Sequence, residues 1–66
     1  MRVIVNGKPR ELPDGASVAE AVAAVTTAAS GVAAAVNDEV VRRSAWAATE
    51  LREADRVEVL TAVQGG

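Results

Sequence analysis

The chain contains no cysteine and no histidine. The first absence removes disulfides and thiolate metal sites. The second removes the usual neutral-pH general base and the commonest metal ligand. Tyrosine and phenylalanine are also missing, and Trp46 is the single tryptophan, so there is no aromatic platform on which bases could stack. No apolar run approaches the ~20 residues of a membrane span. The opening Met1-Arg2-Val3-Ile4-Val5 is too short for a signal-peptide core and leads straight into polar residues, so a cytoplasmic location is expected. The formal net charge of −2 and a pI of about 4.9 argue against nucleic acid and anionic membrane as partners. They favour a partner with a basic docking surface. The 66 residues leave room for one domain, expected over 1–66. A chain of this size buries only about 60% of the surface its unfolded form exposes.

What is present has clear local punctuation. Val3 and Val5 alternate with Arg2 and Ile4, the pattern of a short strand. Asn6-Gly7 follows, a strong hairpin signal because a type I′ turn needs positive φ at both central residues. The return strand is Lys8-Pro9-Arg10-Glu11-Leu12. Pro9 cannot donate to a ladder, which places this strand at an edge. Pro13-Asp14-Gly15 is a turn. Ser17-Val18-Ala19-Glu20 is a capping box: the Ser17 hydroxyl accepts from the Glu20 N–H while the Glu20 carboxylate accepts from the Ser17 N–H. That role accounts for Glu20 without catalysis. Val18, Ala21, Val22 and Val25 recur at helical spacing, and the pattern predicts a helix over 18–28, stopped before Gly31.

Val32-Ala33-Ala34-Ala35-Val36 is apolar throughout and reads as an interior strand covered on both faces or nearly so. Asn37-Asp38 turns the chain into a short strand, Glu39-Val40-Val41. Arg42 and Arg43 stand side by side, as a solvated face or a basic docking patch. Trp46 reads as a packing plug over one end of the sheet. The stretch 49–55 reads as a turn or one helical turn with Leu51 inward. In the last strand Val57, Val59 and Thr61 alternate with Glu58, Leu60 and Ala62. The order of elements gives an α+β roll in which a mixed sheet holds one helix, with the first and last strands paired in parallel at the middle.

Two features then point to function. If Val3, Val5, Val57 and Val59 face the helix, Ile4, Glu58 and Leu60 face the other way. They would lie near one another as a docking surface on the open face. After the last strand come Val63, Gln64, Gly65 and Gly66, expected to form a flexible tail over 63–66. Glycine keeps a chain thin and lets its backbone approach another surface closely. The stretch suits threading a carboxylate into a partner's narrow cleft.

Taken together, Val5-Asn6-Gly7, Ser17-Val18, Val36-Asn37-Asp38-Glu39-Val40-Val41, Arg43-Ser44-x-Trp46, Asp55-Arg56-Val57-Glu58-Val59-Leu60 and Val63-Gln64-Gly65-Gly66 resemble the ubiquitin-like sulfur carrier proteins. Within them the chain is most similar to the thiamine-biosynthesis, or ThiS, type. One departure is Ala54, where the family often has glycine before the aspartate that opens the last strand. The resemblance implies a β-grasp (ubiquitin-like) roll with four to five strands on one helix, and a protein substrate instead of an enzyme. It implies that the Gly66 carboxylate is adenylated by an E1-like enzyme, becomes a thiocarboxylate and passes its sulfur to thiazole synthase. No cofactor is expected, and the free protein is expected to be a monomer. The alternatives are a molybdopterin-type carrier, a carrier of another sulfur pathway, or a ubiquitin-fold interaction module that carries nothing.

Overall fold

The structure, a computed structural model, describes residues 1–28 and 30–62. Among these are five strands, one α-helix and one 3₁₀ helix. Strand β1 is Arg2–Val5, β2 is Lys8–Glu11, α1 is Val18–Val25, β3 is Val32–Val36 and β4 is Glu39–Val41. A 3₁₀ helix at Arg43–Ala48 precedes β5, Arg56–Thr61. The strands form one mixed sheet in the order β2-β1-β5-β3-β4. The α+β, β-grasp roll expected from the sequence is therefore the fold, with the last strand at its centre. β1 and β5 run parallel, and every other pairing is antiparallel.

The local rules explain most of these elements. Asn6 and Gly7 have φ of 51° and 80°, both in the left-handed region that a type I′ hairpin requires. Asn37 and Asp38, at 49° and 72°, make the second hairpin in the same way. Pro9 lies in the edge strand β2, where its missing N–H interrupts no ladder. The capping box at the start of α1 is complete. Ser17 Oγ accepts from the Glu20 N–H at 3.3 Å, and a Glu20 carboxylate oxygen accepts from the Ser17 N–H at 2.8 Å.

Three elements differ from the sequence reading. The helix stops at Val25, three residues short of the expected end, and Thr26 is already extended at φ −150°. Its hydroxyl accepts from the Ala28 N–H at 3.1 Å; a threonine that satisfies nearby backbone locally competes with continuation of the helix. Strand β3 is covered fully on one face only: Ala34 is buried, while on the other face Ala33 is exposed and Ala35 half-buried. Residues 43–48 form the 3₁₀ helix that the sequence did not assign.

The core lies between the sheet and α1. Val3, Val5, Val57 and Val59 meet Val18, Ala21 and Val22, with Ala34, Leu51 and Trp46 closing the cluster. Full burial of a side chain such as Val57 or Leu51 contributes about 1.5–3 kcal/mol relative to exposure. Trp46 is buried, and its indole N–H donates to the Val41 carbonyl of β4 at 2.8 Å. The ring thus fills a core short of aromatic bulk while its one polar atom stays paired.

Candidate functional site

The period of two along a strand assigns each residue to a face. With Val57 and Val59 inward, Arg56, Glu58 and Leu60 share the open face of the sheet. Across β3, Leu60 stands opposite Ala33 and Glu58 opposite Ala35; across β4, Ala35 stands opposite Val40. Val40 is 83% exposed and Leu60 68%. Two bulky apolar side chains therefore flank a floor of two alanines, with the Glu58 carboxylate beside them. The sequence pointed to Leu60 and Glu58 and missed Val40. The sign was there, since Val40 and Val41 are consecutive in a strand and must point to opposite faces.

Ile4 belongs to this face but not to the same spot. It is half-buried and stands opposite Arg56, four residues along β5 from Leu60, or about 13 Å at strand rise. The expectation that Ile4 and Leu60 adjoin is corrected by the register. Around Ile4 the face is charged: Arg56 Nη2 lies 3.1 Å from an Asp38 carboxylate oxygen, and Arg2 Nε lies 3.4 Å from Glu11. The open face thus has an ionic end near the β1 terminus and an apolar end near Leu60.

The apolar end adjoins the place where β5 leaves the sheet. Gly31, Val32, Ala33, Leu60, Thr61 and Ala62 line an open hollow of about 420 Å³ there. Thr61 and Ala62 are exposed. Val63, Gln64, Gly65 and Gly66 lie outside the described residues. Of the adjacent arginines, Arg43 lies over the Trp46 ring, 5.4 Å from its centroid, and Arg42 is exposed. Ala54 adopts φ +69°, the conformation for which glycine is the ordinary choice.

Among the described residues there is no buried polar or charged side chain and no cluster of acidic residues able to hold a metal ion. Glu20 is committed to the helix cap and Asp55 to its own turn, where its carboxylate accepts from the Arg52 N–H at 2.8 Å. No helix among them is long and apolar enough to cross a membrane. What this surface offers is an exposed apolar patch, Leu60 and Val40 over two alanines, beside the last described residues of the chain.

Comparison with known proteins bears on the family and the fold. No curated protein matches the chain. The crystal structure of a thiamine biosynthesis protein (ThiS) from Geobacter metallireducens is 35% identical, covers all of both chains and superposes with a TM-score of 0.79. A solution NMR structure of a thiamine biosynthesis protein from the same organism is 36% identical over the whole of this chain and 88% of the other, with a TM-score of 0.76. The model of the ThiS family matches residues 3–66. With a five-stranded roll of that shape and a match running through the final glycine pair, the chain belongs to the ThiS family of ubiquitin-like sulfur carriers.

Proposed function

We propose that the protein carries sulfur in the thiazole branch of thiamine biosynthesis and that the Gly66 carboxylate is the group modified. The observation that carries this reading is the family match extending through Gly65 and Gly66, directly after a central strand that ends beside an exposed apolar face. A free carboxylate resists nucleophiles at neutral pH. An E1-like enzyme joins it to AMP from ATP, with pyrophosphate leaving, and the acyl carbon gains a good leaving group. A sulfur nucleophile then displaces AMP. With the sulfur at the sulfide level, this displacement alone leaves the chain ending in a thiocarboxylate and releases AMP, and thiazole synthase takes the thiocarboxylate as its sulfur source.

The carrier's own residues supply no acid, base or metal to these steps. They supply docking, through Leu60, Glu58 and the alanine floor, with Ile4 at the far end of the face. They also supply reach, through Val63, Gln64, Gly65 and Gly66. Gly65 is the sensitive position, since a side chain there would widen a segment that must enter a narrow cleft.

The test is intact mass after incubation with ATP, Mg²⁺ and an E1-like activating enzyme. Wild type gains the mass of AMP, and with a sulfur donor present it exchanges one oxygen for sulfur. Gly65→Val melts as wild type does and yields neither product. Normal conversion of Gly65→Val would overturn the proposal, and absence of any adduct on wild type would reduce the protein to an interaction module.

A further inference from the structure

Strand β5 outlasts its neighbour on one side. The β1–β5 register holds Ile4 opposite Arg56 and Val5 opposite Val57, and then β1 turns away at Asn6-Gly7. Beyond Val57 the backbone of β5 has no strand beside it on that side. The Asn6 side chain takes the vacated place. Its Oδ1 accepts from the Val59 N–H at 2.8 Å, and its Nδ2 donates to the Val59 carbonyl at 3.2 Å. One carboxamide satisfies both backbone groups of Val59, which in a continuing parallel strand would take two residues.

On the other side, β3 begins at Val32, opposite Thr61. Just before it, the Gly31 carbonyl accepts from the Ala62 N–H at 2.6 Å. Gly31 has φ +71°, and a Cβ placed on it would stand 3.1 Å from the Ala62 Cβ. This is a close approach in a conformation that glycine alone adopts freely. The exit of β5 is therefore held from both flanks, by a side chain at Val59 and by a glycine backbone at Ala62. Because Thr61 and Ala62 are exposed, core packing does not set their direction.

From this we infer that Asn6 and Gly31 are positioning residues: they fix the line along which the chain leaves the sheet. The inference deepens the carrier reading and rests on it for its kinetic consequence. A docked carrier whose last strand points one way delivers its carboxyl end to a partner's site more often than one whose exit sweeps a cone.

A matched control exists within the fold. Asn37 occupies the other type I′ turn, and its carboxamide ties the first residue of β5 to the Asp55 carboxylate before it. There Oδ1 accepts from the Arg56 N–H at 3.0 Å and Nδ2 donates to Asp55 at 3.1 Å. This contact is at the entry of β5, not the exit. Asn6→Gly and Asn37→Gly each keep a residue that tolerates positive φ and each delete one carboxamide bridge. A purely structural role predicts a loss of folding stability in each and no fall in kcat of the folded protein in either.

The expected result is that Asn6→Gly loses amide-exchange protection at Val59 and Ala62 by about tenfold, the scale of one lost hydrogen bond. Adenylation kcat falls about tenfold at unchanged KM. Asn37→Gly leaves the exit amides and kcat at wild-type values. Gly31→Ala lowers kcat as Asn6→Gly does. Equal losses in the two asparagine variants, or an Asn6→Gly protein with wild-type exchange and kcat, would overturn the inference. If wild type itself takes no AMP, the carrier reading fails and the exchange comparison alone decides whether Asn6 holds the exit. Should Asn6→Gly not fold, Asn6→Asp carries the same comparison, since it keeps the acceptor toward the Val59 N–H and loses the donor.

Discussion

The two faces of the sheet are built from the same strands yet share no side chain. Toward the helix stand Val3, Val5, Val57 and Val59, all buried. Away from it stand Ile4, Glu58 and Leu60, joined by Ala33, Ala35 and Val40. The strand period makes this division complete, because a residue cannot serve both faces without a slip in register. The difference teaches that stability rests on one face, which leaves the other available for the docking proposed above. The buried face holds the roll together, and the open face carries no core side chain.

The strongest way to break the comparison is to damage the buried side. Leu51→Ala removes a fully buried side chain and should cost about 2–5 kcal/mol. That is a large fraction of the stability of a domain this small. Urea unfolding followed by Trp46 fluorescence should show a midpoint far below wild type; an unmoved midpoint would mean that the core is not where the structure puts it. Next comes the open face. Leu60→Asp should change folding stability by no more than about 0.5 kcal/mol while raising KM for adenylation about tenfold. A fall in stability as large as that of Leu51→Ala would show that the open face is structural after all.

The smallest effect sharpens the comparison from a place on neither face. Ala54 sits at φ +69°, which costs a non-glycine residue about 1–2 kcal/mol. Glycine would relieve that cost and give back about 0.5–1 kcal/mol in unfolded-chain entropy. Ala54→Gly should therefore raise Tm by a few degrees and leave KM untouched. If KM moves with Tm, the separation of the two faces is not clean.

Much of this was legible because it is local. Asn6-Gly7 names its turn, Ser17 and Glu20 name the helix start, and Val57 and Val59 name the inward face of the last strand. Trp46 could be read as core because the chain has so little other bulk. The end of the helix was not legible, because Thr26 can serve a helix or stop one, and its hydroxyl bond to Ala28 decides the matter. The exposure of Ala33 was hidden for a different reason. A run of alanines has no period, and alanine suits a buried or an exposed position equally. The separation of Ile4 from Leu60 depends on how β1 registers against β5, and no local pattern carries that information. The roles of the Asn6 and Asn37 carboxamides were hidden in the same way, since each reaches a partner distant in sequence. The tail was read from sequence and family alone, because 63–66 lie outside the described residues.

The central place of β5 also has a mechanical side. A tug on the carboxyl end is transmitted along the axis of a strand held by the Ile4 and Asn6 N–H groups at Asp55 and Val57 and by residues 31–37 on the opposite flank. Such a load strains these bonds together in shear, whereas an edge strand would peel away one bond at a time. The end that the proposed function hands to another protein is thus also one at which an unfolding motor would have to break several bonds at once.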